Sequence, residues 1–316
     1  MADVVNERAA RISGVVEAGL TAQAEGRFDE AIRLARSVLE VEADNYRALH
    51  LLGTLEYQVG EMKEAERLLR RVIALCPYVP HYHCALGMVF AAAGDEARAV
   101  TCYENALRID SEFPDAHNNL GNVLQGQGRF EEAISHYGYA LAGAPENADT
   151  WNNLAMVQHK KGGVADALRS ILRSIELDPN CAEAHQNRGI ILGENRDAAG
   201  AKAAFAEALR LKPDLSPAHS NMAVVLAAEG AYGEAISHLK HALETSPDFV
   251  DAHSNLIFTM DLSPEFTVEQ LQAERRRWGE AHADKFTPKR KKKPVFTVTW
   301  APDQLSPPTI SLCCNG

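Results

Sequence analysis

The sequence predicts an all-α fold, a solenoid of helical hairpins, and three recurring features support this. Prolines close apolar stretches at intervals of 68, 34, 34 and 34 residues, at Pro77, Pro145, Pro179, Pro213 and Pro247. Glycine or alanine returns at fixed places in the same frame. The hydrophobic fraction is 46% but aromatic residues are only 7%, which favours helices packed closely through small side chains. Such a period indicates two-helix units that must stack to bury their apolar faces.

The frame gives seven repeats and a partial eighth. With proline at position 32, the repeats begin at Ile12, Tyr46, Pro80, Pro114, Ala148, Ala182 and Ser216, and the partial one at Val250. Position 8 holds glycine or alanine and position 20 holds alanine in all seven repeats, so two antiparallel helices can approach closely. Glycine at position 15 tolerates positive φ and ends the first helix. Proline cannot donate to a helix ladder and ends the second.

The repeats divide the chain into four predicted regions. Residues 1–11 are a lead-in, and residues 12–261 form the solenoid. Residues 262–284 are expected to hold a capping or junction helix, and residues 285–316 a basic linker and a disordered tail. The basic run Lys289–Lys293 fits a solvated linker better than a nuclear localisation signal or a nucleic-acid patch.

The junction helix has its own start signal. Thr267 and Gln270 are spaced as a capping box, and Phe266 and Leu271 are spaced as a hydrophobic staple. We therefore expect a helix from about Val268 to Ala283, whose polar face could cap the end of the stack.

The sixth repeat departs from the pattern. Arg188 stands at position 7, where an apolar residue is usual, and Arg196 replaces the turn glycine. These two residues predict a local irregularity or an exposed seam in that hairpin.

Composition narrows the class of function. A net charge of −11 argues against general nucleic-acid binding, which needs a basic face. The N-terminus lacks a signal-peptide pattern, and no run of 18 apolar residues predicts a membrane span. Six cysteines without a C-x-x-C pair indicate free, mostly buried thiols in a reducing compartment, and we expect the cytoplasm.

Position 4 repeatedly holds a histidine, or a tryptophan in the fifth repeat, and these histidines cannot form a shared metal site. Zinc ligands must lie about 2.0–2.3 Å from one ion, whereas equivalent helices of successive repeats are separated by more than about 8–10 Å. We therefore expect packed, partly buried histidines and no metal. The residues are His83, His117, Trp151, His185, His219 and His253.

Position 6 is the candidate binding column. At about 100° per residue it lies about 150° from the mean direction of positions 4, 7, 8 and 11, so it points away from the hairpin's own core. An amide there can pair with the N–H and C=O of an extended peptide. The alternative is that these amides bond between adjacent repeats or face water. The five are Asn119, Asn153, Asn187, Asn221 and Asn255.

Neighbouring groove positions add polar residues of the wrong charge for a carboxylate clamp. Positions 2 and 9 supply Asp115 and Asn122 in the fourth repeat, and position 2 supplies Asp149 in the fifth. A co-chaperone that captures acidic tails needs lysine and arginine at such positions. The residues found at positions 2 and 9 therefore argue against a co-chaperone of that class.

Over residues 12–249 the glycine, alanine and proline columns resemble the tetratricopeptide repeat. This resemblance implies a right-handed superhelix whose first helices line the concave side. The asparagine column and the junction are similar to the N-terminal part of O-linked N-acetylglucosamine (O-GlcNAc) transferases over roughly residues 12–284. The junction similarity lies in His253–Met260, Ser263-Pro264 and Glu274–Gly279.

In that family the asparagine ladder binds acceptor proteins and passes them to a catalytic domain. The resemblance places the start of that domain near residue 295, but residues 296–316 do not match it, and no catalytic residue is carried over. UDP-N-acetylglucosamine (UDP-GlcNAc) is therefore a ligand only if a catalytic half is missing from this chain.

Three hypotheses follow for the function. The first is a scaffold that binds proteins or extended peptides through the asparagine ladder, without a cofactor, a metal, nucleic acid or a membrane. The second is a truncated or fragmentary O-GlcNAc transferase. The third is a general co-chaperone or assembly platform.

Overall fold

The structure is a computed structural model that describes residues 2–286, with side chains described for residues 10–282. This part of the chain is entirely helical and contains sixteen helices. It divides into two compact units, Met1–Val157 (unit 1) and Gln158–Gly316 (unit 2), each of which is described by itself. None of the described helices combines the length and apolar character needed to cross a bilayer.

Unit 1 is a stack of hairpins built from α1 to α8 and most of α9. The helices are α1 Ala2–Ala24, α2 Phe28–Val41, α3 Tyr46–Gln58, α4 Met62–Leu75, α5 Pro80–Ala92, α6 Glu96–Ile109, α7 Pro114–Gly126, α8 Phe130–Gly143 and α9 Ala148–Lys160. From α3 onward the first helix of each hairpin has 13 residues and the second has 14. The predicted lead-in is helical from residue 2, and it forms the first part of α1.

Unit 2 continues the same alternation of 13 and 14 residues until the last helix, which has 19. Its helices are α10 Val164–Leu177, α11 Ala182–Glu194, α12 Ala198–Leu211, α13 Ser216–Ala228, α14 Tyr232–Thr245, α15 Val250–Leu262 and α16 Val268–Phe286.

Small residues at position 8 let a ring from the partner helix lie against the backbone. A Cβ added to Gly121 would lie 2.7 Å from a ring carbon of Tyr137, and one added to Gly189 would lie 2.5 Å from a ring carbon of Phe205. Real Cβ atoms do not approach so closely, so only glycine fits beside these rings. The expected close approach of the two helices is confirmed in both units.

The turn between the helices of a hairpin requires a left-handed residue. The glycines at position 15 have φ between 74° and 91°, and Arg196 adopts the same conformation with φ of 64°. Helix α11 before it keeps the standard length, and the Asp197 carboxylate caps α12 by accepting from Gly200 N at 2.9 Å. The irregularity predicted for this turn is therefore wrong, because the hairpin holds arginine in the glycine conformation. Arg188 is half-buried, and the alternative of an exposed seam stays a prediction.

The eighth repeat is partial, as predicted: its first helix α15 is followed by the longer α16, which lies in the region predicted to hold a capping helix. The capping box is confirmed: Thr267 N donates to Gln270 Oε1 at 2.8 Å, and Gln270 N donates to Thr267 Oγ1 at 3.3 Å. The staple residues pack in one cluster. Helix α16 pairs with α15 through Trp278 Nε1, which donates to Ser254 Oγ at 3.1 Å. Five residues link these helices where three link α13 and α14, so α16 falls out of the 34-residue frame.

The predictions for the rest of the tail concern residues 287–316, including the basic run Lys289–Lys293 and the cysteines at 313 and 314. They lie outside the described residues.

Candidate protein-interaction site

The first helices of the unit 1 hairpins enclose an open trough made of two adjoining cavities. One has a volume of about 280 Å³ and the other about 350 Å³. Four residues of α3 and α5 line both cavities: His50, Thr54, Ala85 and Met88. The trough therefore runs along the face that the sequence predicts to bind peptide, across four successive hairpins.

The two ends of the trough differ in chemistry. The smaller cavity is completed by residues of α1, α3 and α4, namely Gln23, Tyr57, Gln58 and Leu69. The larger is completed by residues of α5, of α7 and of the N-cap before α7, namely His81, Cys84, Phe113, Asp115, Asn118 and Asn119. Both ends are thus mainly apolar and both carry amides, but only the larger cavity contains a carboxylate.

The histidine shared by both cavities is uncharged at neutral pH. Burial, with a smaller repulsive contribution from His81, lowers the pKa of His50 from 6.5 to about 4. Its ring lies against Tyr82, with ring centroids 4.9 Å apart. His50 therefore offers the trough a neutral imidazole rather than a cation.

The position 6 asparagines of unit 1 are both half-buried, and Asn119 lines the larger cavity whereas Asn153 lines neither cavity. Asn119 Nδ2 donates to Cys84 Sγ at 3.4 Å, and Asn153 Nδ2 donates to Asn118 Oδ1 at 3.3 Å. Each bond reaches position 5 of the preceding repeat, so inter-repeat bonding takes one amide hydrogen of each asparagine. An amide has two N–H hydrogens and an acceptor oxygen, which leaves further capacity for a ligand.

The flanking site residues are placed differently. Asp115 is exposed and lines the larger cavity, whereas Asp149 is exposed but lines neither cavity. Asn122 is exposed, and its Oδ1 accepts a hydrogen bond from Tyr137 Oη at 2.7 Å. That bond joins the two helices of the hairpin, and it uses one acceptor site of the Asn122 amide.

In unit 2 the position 6 column is less accessible. Asn187 and Asn255 are half-buried, but Asn221 is fully buried. Among the described residues, neither amide atom of Asn221 has a hydrogen-bond partner, and neither does Asn255 Nδ2. The expectation that position 6 points into a groove therefore fails at Asn221, because α13 is buried at Ser220 and Met222 on either side of it as well.

The position 4 rings are packed, as expected, and they have a specific structural task. Five of the six donate a ring N–H to the carbonyl at position 32 of the preceding repeat, at 2.8–3.0 Å, whereas His253 Nε2 lies 2.9 Å from Glu274 Oε1. These bonds satisfy a carbonyl at a helix end, where no intrahelical donor is available. The pairs are His83–Pro77, His117–Ser111, Trp151–Pro145, His185–Pro179 and His219–Pro213.

Two of these histidines extend the contact to the second helix of the hairpin. His117 Nδ1 lies 2.9 Å from His136 Nδ1, and His219 Nδ1 lies 2.7 Å from His238 Nδ1. Because Nε2 of the first ring donates to a carbonyl, its neutral Nδ1 accepts and the partner's Nδ1 donates. Burial lowers the pKa of His136, His219 and His238, so the neutral pairing is favoured.

No disulfide joins the four cysteines in the described part of the chain, and two of them, Cys84 and Cys102, are buried, as the sequence indicated. Burial raises the pKa of Cys84 and of Cys102 to about 11, so both remain thiols at neutral pH. Cys84 therefore acts as a weak acceptor for Asn119 and not as a nucleophile.

Sequence reasoning missed the part that position 5 plays in the trough. His50, Cys84 and Asn118 recur at 34-residue spacing, and they accept the asparagine bonds or line the cavities. The same periodicity that revealed position 6 could have identified them, but their chemistry differs from repeat to repeat.

Family models of the tetratricopeptide repeat match most of the chain. They cover residues 22–83, 89–128, 118–182, 160–216 and 187–248. The chain is a tetratricopeptide-repeat (TPR) protein. It is similar to human tetratricopeptide repeat proteins 7A and 7B, with 29% and 27% identity over 93 residues. Those matches span 29% of this TPR chain and 11% of each relative, so the whole relatives are far longer than the shared segment.

Two solved structures show the same fold. One is the APC/C hetero-tetramer Cut9–Hcn1, with a TM-score of 0.69 and 18% identity over 76% of this chain and 48% of the other. The other is PilF of Pseudomonas aeruginosa, with a TM-score of 0.59 and 22% identity over 66% and 95%. At these identities the similarity concerns the fold of the TPR protein alone.

Proposed function

We propose that this TPR protein is an interaction scaffold that holds an extended polypeptide segment in the trough of unit 1. The observation that carries the proposal is the open trough itself, to which Asn119 presents an amide with unused hydrogen-bonding capacity. Asn153 presents a comparable amide on the next first helix. An extended segment has unpaired N–H and C=O groups along its length, and these are the groups that an amide recognises.

In unit 2 the proposal extends to Asn187 and Asn255, which are half-buried. Asn221 does not enter it, because a side chain without exposed surface cannot pair with a ligand's backbone. A general co-chaperone role that depends on a carboxylate clamp is disfavoured, since no lysine or arginine lines the described trough and Asp115 does.

A peptide-display selection on the full chain tests this function. Random 12-residue peptides would be selected, and affinities of the enriched peptides compared between wild type and the double variant Asn119→Ala/Asn153→Ala. Losing two amide contacts should weaken binding about tenfold to thirtyfold, at about 1 kcal/mol per hydrogen bond. The matched control is Asn105→Ala, which removes an amide from the second helix α6 instead of from the first helices that form the trough.

Circular dichroism first establishes that the variants are equally helical. Unchanged affinities in the folded double variant, or a selection that enriches nothing, would count against the trough as a peptide site.

The second candidate is a fragment of a protein O-GlcNAc transferase. It is supported by the similarity of the junction and by the ordered capping box at Thr267 and Gln270. Isothermal titration with UDP and with UDP-GlcNAc tests whether this chain itself holds a sugar-nucleotide site, and measurable binding of either would favour the transferase.

A further inference from the structure

We infer that the trough of unit 1 selects its segment by side chain, accepting one bulky apolar residue together with a lysine or arginine two to four residues away. This inference rests on the proposed function, because it names the class of segment that the trough holds. It departs from a uniform asparagine ladder, which would read backbone and tolerate any sequence.

The apolar end of the trough exists because position 6 changes identity between repeats. Asn119 holds that position in the fourth repeat, whereas the third repeat has the much smaller Ala85. Beside it, Met88 is 37% exposed, and Tyr57 and Leu69 line the cavity of about 280 Å³. Gln23 and Gln58 also line it, and Gln23 Nε2 donates to Gln58 Oε1 at 3.1 Å, so these two amides bond to each other. Methionine adapts to differently shaped apolar groups. The missing amide therefore leaves room for a side chain from the ligand.

The neutral state of His50 keeps this end apolar in character. With a pKa of about 4 the ring carries no charge at neutral pH, so it neither attracts a carboxylate nor repels a cation. The contact between the His50 and Tyr82 rings holds His50 in place in the lining of the trough. An aliphatic or aromatic ligand side chain can pack against such a ring without desolvating a charge.

The other end of the trough is acidic. Asp115 is the only aspartate or glutamate among the residues that line the two cavities, and none of those residues is lysine or arginine. Within the described part of the chain, Asp115 has no ion pair. Asp149 repeats the exposed carboxylate one repeat further on. A ligand cation is thus favoured and a ligand carboxylate repelled, by roughly 0.2–1 kcal/mol for an exposed pair.

Repeat geometry sets the spacing between the two features. First helices of neighbouring repeats lie about 8–10 Å apart or slightly more, and an extended chain advances about 3.3 Å per residue. One repeat therefore corresponds to about three residues. The apolar side chain over Ala85 and the cation facing Asp115 should be separated by two to four residues, because lysine and arginine side chains are long.

A defined peptide set tests the inference on the full chain. Fluorescein-labelled nine-residue peptides of serine, threonine and glycine would carry phenylalanine at the centre and lysine three residues before or after it. Fluorescence polarisation would compare each with its Phe→Ser and Lys→Glu versions. We expect the Phe→Ser change to weaken binding about tenfold or more, and the Lys→Glu change about threefold to tenfold, with the latter effect shrinking in high salt.

Variants locate the two preferences in the protein. Ala85→Asn fills the apolar end and should reduce the preference for phenylalanine to about twofold or less, whereas Ala92→Asn on the exposed end of the same helix should leave it unchanged. Asp115→Asn should abolish the preference for lysine over glutamate, and the matched charge change Glu104→Gln on α6 should retain it.

Four outcomes would overturn the inference: equal binding of all peptides, preference for the glutamate versions, preferences that persist in Ala85→Asn and Asp115→Asn, or no binding by any member of the set. The proposed function is judged separately by random-peptide selection. Peptides that bind without regard to side chain but depend on Asn119 and Asn153 would leave the scaffold function standing while removing its selectivity.

Discussion

The two compact units carry the same asparagine at the same repeat position and give its amide different surroundings. In unit 1, Asn119 and Asn153 are half-buried and bond to position 5 of the preceding repeat. In unit 2, Asn221 is fully buried and both its amide atoms lack a partner among the described residues. The repeat frame thus determines where a residue stands on its helix, but the neighbours determine whether it meets solvent, a hydrogen bond or neither.

In both units an aromatic ring packs against a glycine inside the hairpin. Substitution of that glycine should have the largest effect on stability of the changes considered. Gly121→Leu in unit 1 and Gly189→Leu in unit 2 should each destabilise their unit by about 3 kcal/mol, because the added side chain overlaps the Tyr137 or Phe205 ring. Hydrogen exchange monitored by mass spectrometry would report the two units separately.

The control for this pair is Gly138→Leu in the interior of α8, where an added Cβ meets nothing within 4 Å. Leucine is the better helix former, so this variant should be about 0.5–1 kcal/mol more stable than wild type. A large cost in one unit and none in the other would show that the hairpin cores differ after all.

Lowering the pH should reduce the stability of the fold by an intermediate amount, and in unit 1 the main contribution comes from His50. Its folded pKa of about 4 lies below the unfolded value of 6.5, so the unfolded state binds the proton first as pH falls. Stability is therefore fully present above about pH 6.5 and is lost progressively down to about pH 4. At pH 5 the loss attributable to this residue is roughly 2 kcal/mol.

Urea unfolding at pH 7.5 and pH 5 would measure this loss, with hydrogen exchange assigning it to a unit. In the His50→Gln variant the acid loss in unit 1 should shrink by roughly 2 kcal/mol. An unchanged pH dependence in the variant would contradict the assignment. Unit 2 should lose stability over the same range through His219 and His238, whose pKa values are also lowered by burial.

The smallest expected difference in stability is between substitutions of Asn221 and Asn153, and it tests directly whether the two amides have different surroundings. Asn221→Ala removes a buried amide that has no partner, whereas Asn153→Ala removes one that is hydrogen-bonded. The gain in helix propensity is common to both, so Asn221→Ala should be the more stable by about 1–2 kcal/mol. Thermal unfolding combined with hydrogen exchange gives this difference. Equal stabilities, or the reverse order, would mean that the buried amide is satisfied in solution.

Most of the fold could be predicted from the sequence, because the small-residue columns and the terminating prolines act locally. The capping box at Thr267 and Gln270 is a further local signal, and it was located correctly. The partial eighth repeat is likewise confirmed, because the longer link before α16 ends the 34-residue frame after α15. The turn at Arg196 was misjudged because hairpin packing outweighs the intrinsic cost of positive φ.

The candidate site was less predictable than the fold. Position 6 could be identified as polar and recurrent, but the trough depends on which residues of four hairpins meet. The part played by His50, Ala85 and Met88 follows from their combination, since none of the three is unusual alone. The burial of Asn221 likewise depends on the packing around α13, which no pattern of spacing encodes.

The bonds from position 4 to the preceding repeat's last carbonyl have a consequence for how the stack comes apart. Each is a hydrogen-bonded tie between consecutive repeats, so opening one hairpin also releases the helix end of its neighbour. The repeats joined in this way should unfold together as cooperative blocks rather than one at a time. The first two repeats have Val15 and Leu49 at this position and cannot make the tie. Under a pulling force or in mild denaturant, unravelling of unit 1 should therefore begin at its N-terminal hairpins and slow at the repeat where His83 holds Pro77.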